Sequence, residues 1–228
     1  MNLFDGLVFN SSSSGLSFKF FVDYATPPVL GLSSENADGE MYNSNALKYI
    51  VEHSEITNVI LTANWTAYLV GGKYFGHRSG DIPTFNYLGK PVKKESAYKI
   101  FKQQLGVTMS ALSSANKRIF ICMPVPIYDV NVSKAVHILQ ITGRDPNTTL
   151  GYSLDNYTNV NTNLIRTFAE ISHTYPNTTI IPLQLFLSTN GVSMVAIGTN
   201  PLYNDSHHLS SYGSMFIGQR VSEIVAGH

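Results

Sequence analysis

Apolar positions along the chain alternate between two patterns. Short runs rich in β-branched and aromatic residues, "LSFKFFVDY" (16–24), "TNVILTA" (57–63), "KRIFICMP" (117–124) and "NTTIIPLQ" (177–184), predict strands. Three of the four are almost continuously apolar, as a parallel sheet covered on both faces requires. Between them apolar residues recur at helical spacing. Leu47, Ile50 and Val51 follow a capping Asn43 or Ser44; Tyr98, Phe101, Leu105 and Leu112 share one stripe, and Val160, Leu164, Phe168 and Ile171 another. A last helix is expected to start near Ser210 or Ser211 and to bury Phe216, Ile217, Val221 and Ile224. The alternation predicts an α/β fold with a mainly parallel sheet. Residues 69–91 and 143–156 read as long connections rich in Gly, Pro, Asn and Tyr, of a length that in a compact domain points to function. No repeat or linker divides the chain, so a single domain over 1–228 is expected.

Charge and composition remove several function classes. Lys+Arg and Asp+Glu both number 15, so the formal charge is zero, and neither a nucleic acid nor an anionic membrane surface is expected as partner. The single cysteine, Cys122 in "RIFICMP", excludes an internal disulfide and a cysteine metal cluster, and its apolar setting reads as packing. No apolar run reaches the roughly 18 to 20 residues of a membrane span, and the first residues lack the basic and long apolar regions of a signal peptide. Sequons at Asn64, Asn147 and Asn177 carry meaning only in a eukaryotic secretory setting.

In an open parallel sheet, ligands bind beyond the carboxyl ends of the strands, which directs attention to Gly31, to Asn64 and Trp65, to "PVPIYD" after the third strand, and to "NDSHHLS" before the last helix. All four are expected on one rim. In the last of them Asp205 and His208 stand three apart. A carboxylate in a tight turn can accept the imidazole Nδ1 proton at that spacing, which leaves Nε2 free to act as a base. Two other readings stay open. Asp205 or Ser206 could simply cap a turn, or Asp205, His207 and His208 could ligate a metal, an awkward set for adjacent residues. Asn64, directly after a buried strand, could donate its side-chain amide to a developing oxyanion or merely end the strand. Trp65 and Tyr68 suit either packing or a platform for a sugar ring.

The order "VILTANWTAY", "IFICMPVPIYD", "YPNTTIIPLQ", "LYNDSHHLSSYG" resembles the SGNH hydrolase superfamily, and within it the SGNH domain fused to, or working with, membrane acyltransferases of family 3 that O-acetylate bacterial surface polysaccharides such as lipopolysaccharide. The D-x-x-H-L-S element is the most specific part of a likeness that runs over nearly the whole chain. The resemblance implies a three-layer α/β/α, flavodoxin-like fold. It makes His208 the general base, Asp205 its orienting partner, Asn64 an oxyanion-hole residue and Gly31 a candidate for the Gly block, with Trp65 where many relatives have Asp. It implies no cofactor and no metal, acylated polysaccharide or oligosaccharide as substrate, a membrane acyltransferase domain as partner, and a periplasmic or extracytoplasmic location. Many relatives carry a cysteine pair shortly before D-x-x-H, where this chain has Ser188 and Ser193. That loop must be held without a disulfide.

The chain departs from the pattern at its start. The family nucleophile is the Ser of a Gly-Asp-Ser motif ending the first, central strand; no Gly-Asp-Ser occurs here, and the only Gly-Asp, Gly80-Asp81, runs into Ile82. Residues 1–31 resemble what normally follows that motif. The expectation is therefore an N-terminally incomplete domain that lacks its central strand, with the strands at 16–24 and 57–63 deprived of a shared neighbour. Ser11 to Ser14 have ordinary turn composition at the end of a first helix and are not expected to replace the nucleophile. The leading expectation is a serine ester hydrolase or O-acyltransferase of acylated surface glycans whose Ser lies upstream of Met1. The alternative is a non-catalytic glycan-binding or truncated SGNH-like protein.

Overall fold

The computed structural model describes residues 3–23, 26–33, 38–70 and 85–227. In chain order the elements are α1 (Phe4–Ser14), β1 (Leu32–Ser33), α2 (Asp38–Glu52), β2 (Asn58–Leu61), α3 (Trp65–Val70), β3 (Asn86–Tyr87), β4 (Lys90–Pro91) and α4 (Lys94–Ser114). There follow β5 (Arg118–Cys122), α5 (Val132–Ile141), α6 (Pro146–Leu150), α7 (Leu154–Thr174), β6 (Thr178–Ile181) and α8 (Leu183–Phe186). Two short hairpins, β7 (Ser188–Thr189) with β8 (Val192–Ser193) and β9 (Ala196–Ile197) with β10 (Asn200–Pro201), lead to α9 (Ser211–Ala226). The chain divides into two compact units: Met1–Phe20, Pro124–Val160 and Pro182–His228 make the first, Phe21–Met123 and Asn161–Ile181 the second.

The second unit holds the parallel sheet, in the order β2-β5-β6. Val59 lies opposite Ile119, and Ile119 opposite Thr178. Ile119, Phe120, Ile121 and Cys122 of the central strand are buried without a break, which is the two-sided cover their apolar run predicts. On α4 the buried residues Ala97, Phe101, Leu105, Met109 and Leu112 recur every three or four positions, so one face of the helix is spent on the core. The expected start of the second helix moves upstream: α2 begins at Asp38, and Asn43 is not its cap. Instead the Asn43 side-chain amide donates to the carbonyls of Pro27, Val29 and Leu32, which ties α2 to the bend before β1.

The strand expected over 16–24 is not formed. Residues 16–23 are irregular, Tyr24 lies outside the described residues, and Phe20 and Val22 are exposed. Aromatic and β-branched residues favour a strand only where a neighbour completes the ladder and packs their faces. No described strand lies beside this segment. Phe20 instead meets Phe4 edge to face at 5.1 Å. Of the two long connections, 143–156 contains α6, capped by the Asp145 carboxylate on the N–H groups of Asn147 and Thr148. The other lies largely outside the described residues, as does Gly80-Asp81; its end forms the β3–β4 hairpin, with Tyr87 paired to Leu32.

The first unit is built around the crossing of α1 and α9, whose contact surface is made of small residues. Gly213, Ser214, Gly218 and Ser222 of α9 are buried with Ile217, Val221 and Val225, so the buried face is rotated from the one expected, and Phe216 and Ile224 are only half-covered. The backbones nearly touch. A Cβ on Gly6 would lie 1.9 Å from the Ser214 carbonyl oxygen, and one on Gly218 2.5 Å from the carbonyl carbon of Gly6. The Gly6 N–H donates to Ser214 Oγ at 2.9 Å across the crossing. Backbone cannot yield as a flexible side chain does, so glycine is required at both positions. Gly6→Ala and Gly218→Ala should each destabilise the protein by about 3 kcal/mol or more. Gly106→Ala, at a helical site where a Cβ would meet nothing within 4 Å, should stabilise it by roughly 0.5–1 kcal/mol. Urea denaturation checks both; equal effects of the three substitutions would contradict the crossing as described.

Candidate active site

The D-x-x-H element sits in a closed turn of the first unit. Tyr203 bridges to Leu209, the Asn204 N–H donates to the His208 carbonyl at 2.8 Å, and the Ser210 N–H donates to the Leu202 carbonyl at 3.0 Å. Ser210 then caps α9, its Oγ accepting from the Gly213 N–H at 3.0 Å and donating to the Pro201 carbonyl at 2.7 Å. Ser210 is thus a structural hydroxyl. Ser211 donates to the Asp5 carboxylate at 2.8 Å.

Within the turn Asp205 uses its two oxygens differently. Oδ1 accepts the N–H groups of His207 at 2.9 Å and His208 at 2.8 Å, while Oδ2 accepts from His208 Nδ1 at 2.7 Å. One carboxylate thus both caps the turn and binds the His208 ring. Partial burial works to raise the Asp205 carboxyl, but the His207 N–H, the His208 side chain and the His208 N–H outweigh it and hold the group at about 2. An ionised carboxylate has no proton to give, so the proton of the 2.7 Å bond sits on Nδ1. Nε2 has no hydrogen-bond partner among the described residues.

His207 stays beside the pair, its Nδ1 3.7 Å from Asp205 Oδ1. Its Nδ1 lies 2.9 Å from Ser206 Oγ, and its ring is tilted against that of His208 at 4.0 Å. One donor atom from each of Asp205, His207 and His208 falls within 4.8 Å of the others. Two atoms of that group, His208 Nδ1 and Asp205 Oδ2, are bonded to each other.

The other candidates belong to the second unit. Asn64 follows β2 and opens α3: its carbonyl accepts from the Ala67 N–H at 3.0 Å and its Oδ1 more weakly at 3.4 Å. Its Nδ2 donates to nothing among the described residues. Gly31 has φ +73°, and a Cβ there would lie 2.8 Å from Gln104 Oε1. Its N–H likewise has no partner among the described residues, although both neighbours are held, Leu30 N–H by Thr108 Oγ1 and Leu32 N–H by the Val29 carbonyl.

Trp65, a substrate-binding candidate whose sequence setting suits either packing or a sugar platform, is fully buried. Its indole N–H donates to the Cys122 carbonyl at 2.9 Å and its ring packs on Phe101 and Phe168, which leaves no face for a sugar. It acts as the peg that fixes α3, and so Asn64, to the end of β5. A buried bond from Thr66 Oγ1 to Asn161 Oδ1 at 2.7 Å adds a second tie that the sequence did not signal. Cys122 is a packing residue, its thiol pushed up to about 12 by burial.

The chain matches the family model described as "SGNH domain (fused to AT3 domains)" over residues 1–223. It also shares its fold with a solved structure, that of the lipopolysaccharide acetyltransferase periplasmic domain of Salmonella ser. Paratyphi A, at a TM-score of 0.61 and 17% sequence identity, over 99% of this chain and 77% of that one. No curated protein matches the chain in sequence. With a family match over nearly its whole length, an α/β fold around a parallel sheet, and the D-x-x-H turn in place before the last helix, the chain belongs to the SGNH domain family of the kind fused to AT3 domains.

Proposed function

We propose that this domain is the base-bearing part of an O-acyltransferase or esterase of acylated surface glycans, with His208 as general base and general acid. The observation that carries the reading is the 2.7 Å bond from His208 Nδ1 to an ionised Asp205, which points the Nε2 lone pair at an open position. In this reading the nucleophile is the serine of a Gly-Asp-Ser element preceding Met1. Its hydroxyl attacks the acyl carbonyl while Nε2 takes the proton, and the collapsing tetrahedral intermediate takes that proton back onto the departing alcohol. A sugar hydroxyl or water then accepts the acyl group by the same route in reverse. Asn64 Nδ2 and the Gly31 N–H are the proposed donors to the oxyanion, supported by their lack of other partners among the described residues.

The family description, with its fused AT3 domain, supports a membrane acyltransferase as the source of the acyl group. The structural relative, a lipopolysaccharide acetyltransferase periplasmic domain, supports a glycan of the lipopolysaccharide class and a site outside the cytoplasmic membrane. No helix among the described residues is long and apolar enough to cross a membrane. One observation favours a second reading, a non-catalytic glycan-binding domain: the absence of Gly-Asp-Ser from these 228 residues.

Hydrolysis of p-nitrophenyl acetate separates the two readings, compared between this chain and one extended upstream through its in-frame codons. The extended chain should be active and this chain inactive; an in-frame stop directly before Met1, or an inactive extended chain that still binds glycan, would favour the second reading. In the active protein His208→Ala should lower kcat/KM by at least about 10³-fold and Asp205→Asn by roughly 10⁴-fold, because an amide can still cap the turn but cannot hold the right tautomer. Asn64→Ala should cost about 10²-fold, mostly in kcat.

The pH profile gives an independent check. The Asp205 carboxyl, lowered from 3.8 to about 2, stabilises the folded turn above pH 3.8, and this contribution is lost as pH falls through about 2. Asp205 should therefore contribute no proton to the acid limb of kcat/KM above pH 4. A two-proton slope above pH 4 would place a second titrating group in the mechanism.

A further inference from the structure

We infer that Tyr128 and Ser193 form a hydrogen-bonded clamp that positions the Asp205–His208 pair, an inference that rests on the reading of that pair as the base side of the site. The outer side of the D-x-x-H turn is held by the segment after β5, where the Tyr128 N–H donates to the Ser206 carbonyl at 2.9 Å and the Val132 N–H to the Asp205 carbonyl at 3.2 Å. These two bonds make that segment the reference against which the carboxylate is placed. The segment is irregular between β5 and α5, and Pro124 and Pro126 have no N–H with which to pin it. It is pinned by side chains. Tyr157 Oη donates to the Pro124 carbonyl at 2.7 Å, and the Tyr128 hydroxyl lies 2.8 Å from Ser193 Oγ.

Ser193 is suited to the task. It is 1% exposed on β8, directly opposite Ser188 of β7, and its Oγ also accepts the Tyr152 N–H at 2.9 Å. The hydroxyl that meets Tyr128 is therefore fixed from a second direction. The Tyr128 ring completes the clamp, edge to face against Tyr203 at 5.1 Å and Tyr152 at 6.4 Å; Tyr203 is the residue that closes the turn on Leu209. Burial pushes the Tyr128 phenol up to about 12, so the hydroxyl keeps its proton at every working pH. The β7–β8 hairpin is thus joined to the segment after β5 by two hydroxyls. Tyr128 and Ser193 are positioning residues, since they act through the Ser206 carbonyl and not on substrate.

The test reads the Nδ1 proton of His208 by NMR in this chain, without reference to turnover. Wild type should show a downfield proton protected from solvent exchange. Tyr128→Phe and Ser193→Ala should each speed its exchange about fivefold to tenfold, and the double variant should do no more than Ser193→Ala alone, which already removes the Tyr128 contact together with the acceptor of the Tyr152 N–H. Val225→Ala, a core truncation at the far end of α9, should lower the melting temperature yet leave the exchange rate at the wild-type value. If Tyr128→Phe does not fold, Ser193→Ala carries the comparison. Unchanged exchange in the hydroxyl variants, or equal acceleration by Val225→Ala, would overturn the clamp while leaving the Asp205–His208 reading intact. A wild-type chain without the protected proton would overturn that reading first, and the clamp with it.

Discussion

A carboxylate offers two oxygens, and in this domain the two are given to different partners. Oδ1 of Asp205 gathers the backbone N–H groups that would otherwise be left over in a tight turn, and Oδ2 takes the Nδ1 proton of the imidazole three residues on. The first bond set keeps the carboxyl ionised, and an ionised carboxyl is what fixes the tautomer of the ring. Folding of the turn and orientation of the His208 ring therefore depend on the same group. A hydroxyl or amide in its place could cap the turn; only a carboxylate does both.

The turn has this geometry because its two flanks are rigid. Downstream, Ser210 starts α9, and α9 is docked through glycines that bring its backbone against α1. Upstream and alongside, the segment after β5 reaches the turn through backbone donors and is itself anchored by tyrosine hydroxyls. Close backbone packing leaves few alternative arrangements, because a small displacement costs contacts along the whole crossing. In the second unit, Trp65 and Thr66 give Asn64 a comparable foundation of buried bonds beneath a half-exposed amide.

How much of this is legible in the residues depends on whether the signal is local. The strands at 58–61, 118–122 and 178–181 are legible because a continuous apolar run needs two covered faces, and α9 because Ser210 announces its start. The 16–24 segment misleads, since strand propensity says nothing about whether a neighbour is present to complete a ladder. Asn43 looks like a cap because local spacing cannot show the three carbonyls it reaches from elsewhere in the chain. Among the candidate residues, the Asp205–His208 spacing carries its own geometry. The burial of Trp65, the Thr66–Asn161 bond and the pairing of Tyr128 with Ser193 are tertiary facts without a sequence period.

One claim underlies the proposed chemistry, that Nε2 of His208 activates a serine hydroxyl. A fluorophosphonate probe, which labels only an activated serine, tests it most directly in the chain extended upstream of Met1, with the site of attachment read by peptide mass spectrometry. Stoichiometric labelling of the Gly-Asp-Ser serine is expected, with near-complete loss of that labelling in His208→Ala. Labelling that proceeds at an unchanged rate without His208 would contradict it.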